Sequence, residues 1–482
     1  MKRALWRLAS FIPRHRFAPH GMAVGLMFPL VFEGPIQAGS ANNKPFGEMV
    51  GLNVKYSQGE PQSALALLKE LKVKWVRDTV AWPEMEPTPG QYRDFPEAFR
   101  ERLKFYKENG IGVVFGLWYD NPQAYPNTPE KPGHSIDTKA YGSYAVEIAK
   151  LLKASGVRFV LEIWNEPHNF VIRTLLGGEW NAKPPSLWVD HYVEMIREAV
   201  TRVKAYDPEI ELLDDDDMWV IHYWFLEKGL PPELDGIAFH PYVNNVPEIA
   251  AVDQDTEWAK PFTLVDADGS FRTAVRRLRE QSRLKMGREP SMWITEWGWP
   301  VGGKLPNGTI SEDTVAAFLP RAFIGAAASG VRVLCWFSSR DSVDGPMGLT
   351  SNEGKRRKAF GALQTMTAQI GDHVFDRQLV GQDDPTSGIQ AYLFRGAQGN
   401  KLVVWSVDGE MPILLGGSTG SAIRANDVQG KAIAANADAD GRVRLVVGAE
   451  PIYVSGIAGE VSVKPIQRAP KAPTNLRKEN GS

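Results

Sequence analysis

Apolar runs and amphipathic segments alternate along the first three quarters of the chain. Eight mostly apolar runs predict strands, at 49–54, 74–80, 112–119, 158–164, 210–215, 234–242, 291–297 and 331–337. Segments with apolar residues at helical spacing lie between these runs, and two of them, 96–110 and 138–156, end on glycine as helix C termini commonly do. Strands that are apolar almost throughout and alternate with helices predict a parallel sheet buried on both faces.

The number of strand-helix units favours a closed barrel over an open sheet. Eight units over about 320 residues fit a (β/α)8 TIM barrel. A doubly wound sheet is the alternative, but the first strand-helix junction has no Gly-rich phosphate loop. After about residue 372 the pattern changes to short runs punctuated by Gly and Asp, such as 388–396 and 401–409, which indicates a small antiparallel β-sandwich. We therefore predict a catalytic barrel over 42–372, a β-sandwich domain over 373–462 and a mobile tail over 463–482.

The first 41 residues have the composition of a targeting segment. Basic residues precede an apolar run at 21–32, and small residues follow at 36–41, which is typical of a signal peptide. The run is short for a membrane-spanning helix. Because Glu33 and two prolines weaken the cleavage site, an uncleaved inner-membrane anchor is the alternative. We expect a periplasmic or secreted protein, with inner-membrane association if the segment is retained.

Composition narrows the classes of partner. The net charge of -2 and the pI near 6.5 argue against nucleic acid and against an anionic membrane surface. Cys335 is the single cysteine, so no intrachain disulfide forms, and we expect a small buried hydrophobe. The 15 tryptophans, several of them just after apolar strands, suggest a flat apolar ligand face such as a sugar ring. We expect a monomer that binds a polysaccharide or oligosaccharide.

Two glutamates lie where predicted strands end. Glu166 follows the fourth strand in "VLEIWNEPHNF" (160–170), and Glu296 ends the seventh strand in "WITEWGWP" (293–300). In a barrel of this kind the catalytic residues lie at the C-terminal ends of the strands. Glu166 and Glu296 are three strand-helix units apart, so they lie on roughly opposite sides of the barrel mouth. A protonated and an ionised carboxyl facing each other are what glycosidic bond cleavage needs. The sequence therefore predicts a glycosidase with Glu166 and Glu296 as its catalytic pair.

Three motifs carry a resemblance to a known group of enzymes. "WNEP" (164–167), "TEWGW" (295–299) and "VRDTVAWPEMEPTPGQYRDF" (76–95) resemble the clan A glycoside hydrolases, whose fold is a (β/α)8 barrel. The added β domain is similar to that of family 39, including the periplasmic hydrolases of bacterial exopolysaccharide clusters. The resemblance implies that Glu166 is the acid/base, that Glu296 is the nucleophile, and that the enzyme is retaining, with carboxyls about 5–5.5 Å apart. It also implies a bacterial exopolysaccharide as substrate, and hence a role in carbohydrate metabolism and biofilm. The many tryptophans favour several sugar subsites, so we expect endo cleavage.

The resemblance implies roles for further residues as well. Arg77 matches the clan's buried arginine, which keeps the nucleophile ionised through a charge-assisted bond. Asn165 would bond the sugar 2-hydroxyl, and Trp336 would be the platform under the sugar in the −1 subsite. His240 and Tyr242 match the sixth-strand position, where an aromatic hydroxyl often touches the nucleophile. Ordinary packing is the alternative for each. For five further tryptophans a place in the cleft and a place in the core are equal alternatives: Trp82, Trp118, Trp164, Trp297 and Trp299.

Four consecutive aspartates in "LLDDDDMW" (212–219) raise the alternative of a metal site. Neighbouring side chains on a strand point to alternate faces, so all four cannot converge on one ion, and no His pair has helical ligand spacing. We predict no metal and no cofactor, and a solvated loop or a sugar-contacting Asp at this motif. Three other functions stay open: an exo-acting glycosidase, a catalytically inactive sugar-binding barrel, and a metal-dependent lyase or aldolase. The long segments 120–135 and 168–186 could form a groove for endo cleavage or a pocket for exo cleavage.

Overall fold

The structure is a computed structural model that describes residues 44–126, 136–169, 187–435 and 437–466. The predicted targeting segment and most of the predicted tail lie outside these ranges, as do large parts of the long segments 120–135 and 168–186. Among the described residues, no helix combines the length and the apolar character needed to cross a membrane.

The described residues form a closed parallel barrel, as the sequence predicts. Its first half contains β1 (Val50–Asn53), β2 (Trp75–Asp78), β3 (Gly112–Leu117), β4 (Phe159–Ile163), β5 (Leu212–Leu213) and β6 (Asp216–Asp217). Then come β7 (Gly236–His240), β8 (Ser291–Trp297), the small hairpin of β9 (Lys304–Leu305) and β10 (Gly308–Thr309), and β11 (Val333–Trp336). Strand β5 pairs with both β4 and β7, and β1 pairs with β11, so the ring is closed. Strands β5 and β6 are two parts of the fifth barrel strand, because β6 also pairs with β7.

Helices surround the barrel, and two of them lie within the two predicted helical segments 96–110 and 138–156. They are α1 (Leu65–Glu70), α2 (Trp82–Met85), α3 (Glu97–Glu108), α4 (Thr138–Ser155), α5 (Leu187–Tyr206), α6 (Ile221–Lys228), α7 (Phe271–Met286), α8 (Glu312–Ala328) and α9 (Lys358–Ile370). The start of α4 is fixed by Asp137, whose carboxylate accepts hydrogen bonds from the first free backbone N–H groups of the helix. Its end is fixed by Gly156 at φ 70°, a left-handed conformation that glycine adopts without steric cost.

Alternating side chains fill the barrel in layers. One buried apolar layer consists of Trp75, Val114, Val160, Leu213, Ala238, Trp293 and Val333, with Cys335 above it. Two residues further along the same strands lie Arg77, Gly116, Glu162, Asp215, His240 and Thr295. Because side chains two residues apart on a strand point the same way, the apolar layer supports a polar layer at the C-terminal end. Cys335 is buried, as predicted, and a Cβ at Gly51 would lie 2.6 Å from its Sγ.

The second domain is an antiparallel sheet folded into two layers. Its strands are β12 (Val374–Val380), β13 (Ile389–Arg395), β14 (Asn400–Ser406), β15 (Met411–Asn426), β16 (Ala432–Ile433), β17 (Val443–Val447) and β18 (Ile452–Pro465). The long strands β15 and β18 pair over most of their length and belong to both layers. They bend at glycines, where Gly417 has φ 110° and Gly456 has φ 83°. The sheet continues to Pro465, so residues 463–465, predicted as tail, belong to β18.

The strands β13, β14 and β18 bury both of their faces. Residues such as Leu393, Leu402 and Val454 point into the core between the two layers. The alternate residues Phe394, Val403 and Tyr453 join the core of the barrel. Period-two alternation therefore explains why these strands are apolar almost throughout: one face closes the sandwich and the other packs on the barrel.

A buried polar cluster ties the two domains together. The guanidinium of Arg321 on α8 donates to both carboxylate oxygens of Glu248, at 2.9 and 2.6 Å. The indole N–H of Trp405 on β14 donates to the same carboxylate at 2.9 Å. Since a planar guanidinium matches a carboxylate in two places, this contact fixes the orientation of the β domain on the barrel as well as its position.

Candidate active site

Arg77 is the centre of the polar layer at the barrel mouth. Its side chain is fully buried, and its three nitrogens have three different partners. Nε donates to Glu162 Oε2 at 2.5 Å, Nη2 donates to Asn165 Oδ1 at 2.9 Å, and Nη1 donates to Glu296 Oε1. Burial alone would lower the pKa of Arg77, but the carboxylates of Glu162, Glu296 and Asp215 raise it, so the guanidinium stays charged.

Glu166 lies on a backbone that leaves the strand sharply. Trp164 has φ 71° and Glu166 has φ 43°, both in the left-handed region that non-glycine residues seldom adopt. Three hydrogen bonds hold this turn: Trp164 N donates to Tyr141 OH at 3.1 Å, Glu166 N donates to Asp215 Oδ2 at 3.0 Å, and Asn169 N donates to Glu166 O at 2.9 Å. The strained turn directs Asn165 toward Arg77 and Glu166 toward His240.

His240 faces both predicted catalytic carboxyls with the same ring nitrogen. Its Nδ1 is 2.9 Å from Glu166 Oε1 and 4.0 Å from Glu296 Oε2. Its Nε2 is 3.0 Å from Asp215 Oδ1 and 3.1 Å from Thr295 Oγ1. Burial opposes the imidazolium, but the charges of Asp215 and Glu296 raise the pKa of His240 well above its ordinary value.

Glu296 faces the mouth because of a bulge in β8. Leu334 of β11 pairs with Ile294, whereas Trp336 pairs with Trp297, so β8 has one extra residue over this interval. A bulge of this kind re-aims side chains, and here both Thr295 and Glu296 reach the polar layer. The hydroxyl of Tyr242 donates to Glu296 Oε2 at 2.9 Å, while Oε1 accepts from Arg77. Each oxygen of this carboxylate is therefore hydrogen-bonded, which fixes its plane.

The environment of Glu166 favours the protonated carboxyl. Its side chain is 21% exposed, compared with 13% for Glu296. Burial first, and then the charge of Asp217, raise the pKa of Glu166 to about 6, although His240 opposes the shift. Glu296 instead accepts from a buried guanidinium. The two carboxyls are thus in different electrostatic environments, which is how one pair supplies both an acid and an anion.

Three of the four residues of the aspartate run are buried, which corrects the prediction of a solvated loop. Asp214, Asp215 and Asp216 are all fully buried. Asp214 points to the outer side, where it meets His222 at 3.3 Å, and Asp215 points to the mouth, where it bonds His240. The alternation of faces that the sequence predicts is present. The three buried carboxylates are paired with histidines from other segments, as buried charges in general are, while Asp217 is partly exposed.

Trp336 does not reach the cleft, contrary to its predicted place as a sugar platform. Its side chain is fully buried in the outer core, 5.8 Å from the ring of Trp299. Cys335 belongs to the inner layer, so Trp336 must point outward. Phe337 has the inward parity and lies 6.2 Å from the ring of Tyr242. The Lys55 ammonium nitrogen lies 3.7 Å from the centre of the Phe337 ring.

Of the tryptophans predicted near the cleft, Trp118 lies against the polar layer. Its ring lies 4.5 Å from the guanidinium carbon of Arg77. A Cβ at Gly116 would lie 2.1 Å from this indole, so the glycine makes room for it. The next residue, Tyr119, is 46% exposed. The other predicted candidates are fully or almost fully buried in the core: Trp82, Trp164, Trp297 and Trp299.

Three residues of the site were not predicted as site residues. Glu162 reads as strand interior, Thr295 lies in the "TEWGW" motif but was given no role there, and Lys55 follows the first strand without any distinctive neighbour. The Lys55 ammonium is 3.4 Å from Asp344, with 10% of its side chain exposed. Burial lowers the pKa of Lys55, while Glu296 opposes this shift. The signal available for Glu162 and Thr295 was that they share the inward parity of Arg77 on β2 and His240 on β7.

Three carboxylate-histidine groups among the described residues have the spacing of metal ligands. They are Glu162, Asp215 and His240; Glu166, Asp217 and His240; and His168, Asp216 and Asp217, with all ligand atoms of a group within 4.8 Å of one another. In each group the histidine is already paired with a carboxylate, and Arg77 lies 3.6 Å from Asp215. We identify none of them as metal ligands, and the prediction of a metal-independent site stays a prediction.

The fold occurs in known glycoside hydrolases. No protein-family model and no curated protein matches the sequence. A family 39 glycoside hydrolase from Bacteroides cellulosilyticus WH2 is 19% identical, with a TM-score of 0.68 over 86% of this chain and 81% of that one. A family 30 endoxylanase from Clostridium papyrosolvens C71 is 12% identical, with a TM-score of 0.56 over 87% and 98%. The family 39 enzyme from Xanthomonas axonopodis pv. citri is 13% identical, with a TM-score of 0.53 over 89% and 96%. The chain has their fold. At these identities the similarity shows only the architecture, which is a barrel with an added β domain. Any conclusion about the reaction must come from the residues of the site.

Proposed function

We propose that the protein is a retaining glycoside hydrolase that cleaves a polysaccharide by double displacement. The observation that carries this proposal is the pair of carboxyls on one histidine nitrogen, at 2.9 Å for Glu166 and 4.0 Å for Glu296. Two oxygens at these distances reach the roughly 6.5 Å that inverting enzymes need only if the angle between them at the nitrogen exceeds about 140°. The shorter separation of a retaining pair fits the geometry better.

In the first step the two carboxyls act together on the glycosidic bond. Glu166 gives its proton to the leaving oxygen, and a carboxylate oxygen of Glu296 forms a bond to the anomeric carbon as the bond to the leaving group breaks. Arg77 and Tyr242 donate to the two oxygens of Glu296, which orients this side chain for attack. Asn165 accepts from Arg77 through Oδ1, so its amide nitrogen is directed away from that bond and is available to a sugar hydroxyl.

In the second step water replaces the enzyme on the sugar. The ionised Glu166 takes a proton from water, the water oxygen bonds the anomeric carbon, and Glu296 leaves as a carboxylate. Glu166 is protonated again and ready for the next cycle. The His240 imidazolium donates to Glu166 Oε1, so it stabilises the carboxylate form that this step requires.

The substrate in this proposal is a bacterial exopolysaccharide that the enzyme cleaves internally. The partly exposed aromatic surface of Trp118 and Tyr119 beside the carboxyls supports a sugar ligand, since such rings bind the apolar face of a pyranose. Export through residues 1–41 is part of the same proposal. Amino-terminal sequencing of periplasmic protein should then find a start near Gly39 or Asn42, whereas an intact amino terminus in the membrane fraction would favour the anchor.

The test is hydrolysis by the purified full chain. We expect it to release reducing ends from the producer's own exopolysaccharide, with viscosity falling early if cleavage is internal. Glu296→Gln, which removes the nucleophile and little volume, should abolish turnover and leave the melting temperature almost unchanged. Turnover by Glu296→Gln at the wild-type rate would contradict the two-carboxylate mechanism. Tight binding without turnover by the wild type would favour a sugar-binding barrel.

A further inference from the structure

The aspartate run contains one carboxylate that the proposed reaction does not use and that still lies at the mouth. Asp216 and Asp217 form β6 and pair with Phe239 and His240 of β7. Asp216 is fully buried, whereas the side chain of Asp217 is 35% exposed. Because neighbours on a strand point to opposite faces, Asp217 shares its face with Asp215, which belongs to the polar layer.

His168 holds this carboxylate in a fixed position. The ring Nε2 of His168 is 3.1 Å from Asp217 Oδ2, and its Nδ1 bonds Asp216 Oδ1. The backbone N of His168 also donates to Asp216 Oδ2 at 3.2 Å. A ring with a carboxylate at each nitrogen must donate from both, so His168 is an imidazolium clamped between two anions. Burial alone would lower the pKa of His168, but the two aspartates raise it well above its ordinary value.

The clamp places Asp217 beside the candidate acid/base. A carboxylate oxygen of Asp217, one of Glu166 and a ring nitrogen of His240 lie within 4.8 Å of one another. His168 and Glu166 are two residues apart, so the residue that fixes Asp217 and the residue that Asp217 faces belong to the same turn. Two carboxyls this close cannot both be ionised without a cost, and the cost falls on the one that is less well paired.

On the basis of the proposed function, we propose that Asp217 is a positioning residue for Glu166, which keeps a permanent negative charge beside that carboxyl through both steps of the reaction. In the free enzyme this charge favours the proton that Glu166 must donate. In the covalent intermediate it makes the ionised Glu166 a stronger base toward water.

The other charges around Glu166 do not supply this function. The carboxylate of Glu296 loses its charge when it bonds to the sugar. Asp215 accepts from the Glu166 backbone, but His240 and Arg77 offset its charge. Asp217, in contrast, takes no part in the bond changes and keeps its charge in both steps, and its ion-pair partner is His168, with His240 also facing it. The titratable groups that face Glu166 are His240 and Tyr242 after β7, Glu296 on β8, Tyr119 after β3, and Asp215 and Asp217 of the aspartate run.

The alkaline limb of kcat/KM tests this proposal, because that limb reports the loss of the proton from the acid. Measured on a glycoside with a poor leaving group, it should move to lower pH by about one unit in Asp217→Asn, the effect of removing one partly solvated charge at this range. Asp217→Glu retains the charge and should leave the limb near its wild-type position. His168→Gln removes the positive partner and should move the limb to higher pH, opposite to Asp217→Asn.

Opposite shifts distinguish an electrostatic role from a structural one, since loss of packing moves both variants the same way. An alkaline limb that stays in place in Asp217→Asn, or moves equally in Asp217→Glu, would overturn the proposal. If Asp217→Asn fails to fold, the test is made with His168→Gln. An alkaline limb of that variant that is unmoved or shifted to lower pH would then overturn the proposal. A wild type inactive on every glycoside would refute the proposed function itself, whereas an active wild type with an unmoved limb would refute the role of Asp217 alone.

Discussion

Replacing Arg77 by Met should damage stability and activity together, because one guanidinium supports both. Its side chain is fully buried, with Glu162 at 2.5 Å, Asp215 at 3.6 Å and Glu296 also bonded to it. Removing one partner of a buried ion pair costs about 3–5 kcal/mol, because the remaining charge has no compensation. Burial already raises the pKa of Glu162 to about 7 against the opposing charge of Arg77. Without that charge Glu162 takes up a proton, which limits the loss to this range.

The functional part of the loss follows from the bond to Glu296. A hydrogen bond to a charged group contributes about 1.5–3 kcal/mol, so kcat/KM should fall by roughly 10–150-fold beyond any effect of unfolding. Urea denaturation followed by tryptophan fluorescence measures the first quantity, and initial rates at a temperature where both proteins are folded measure the second. Arg77→Lys retains the charge but cannot make all three hydrogen bonds of the guanidinium. Its free energy of unfolding and its kcat/KM should therefore lie between those of Arg77→Met and the wild type.

Arg102→Met is the matched control for this prediction. Arg102 is also buried and donates to Asp78 at 2.8 Å, but this pair lies on the outer side of β2. It should lose stability by a comparable amount and keep kcat/KM at temperatures where it is folded. A free energy of unfolding for Arg77→Met within 1 kcal/mol of the wild type would refute this reasoning about the buried network. A loss of activity in Arg102→Met as large as in Arg77→Met would show that kcat/KM reports only stability.

Three further outcomes follow from the site. Glu166→Gln should nearly abolish cleavage of a natural polysaccharide but spare the first step on an activated aryl glycoside, giving a burst and accumulated intermediate; equal losses without a burst would remove the acid/base assignment. Because the pKa of Glu166 is raised to about 6 and the acid must be protonated, kcat/KM on the polysaccharide should fall as pH rises through about 6, and a plateau extending beyond pH 8 would contradict this. Gly116→Ala should weaken substrate binding by displacing the Trp118 indole, while Trp336→Phe should change the melting temperature and leave KM unchanged; the reverse pattern would restore the platform role to Trp336.

The sequence predicts the barrel well because the same physical requirement acts on each of its strands. Each is covered on both faces, so it reads as a nearly continuous apolar run, and position at the strand end then makes Glu166 and Glu296 candidates. The β domain was harder to delimit. Gly417 and Gly456 read as turn residues that end short strands, but they are bends inside β15 and β18.

The parts of the site that the sequence did not predict depend on pairing between distant segments. The aspartate run is buried because His168, His222 and His240 come to it from three other elements, and local pattern cannot show that. The bulge in β8 is one extra residue, and a shift of one residue along β11 changes which of its side chains face the barrel interior. A shift of one residue reverses which side chain faces the mouth, so the prediction selected Trp336 although Phe337 has the inward parity.

The assignment of the two carboxyls is tested most directly by azide with two single variants. In Glu296→Gly, azide enters the vacated space and attacks the anomeric carbon from the nucleophile's side, so the account predicts a glycosyl azide of inverted configuration. In Glu166→Gly the covalent intermediate still forms on an activated aryl glycoside, and azide displaces Glu296, so the product should be a glycosyl azide of retained configuration. The anomeric configuration of each product can be read by proton NMR. Inverted azide from Glu296→Gly and retained azide from Glu166→Gly would support both roles, whereas the opposite configurations, or wild-type hydrolysis by either variant, would contradict them.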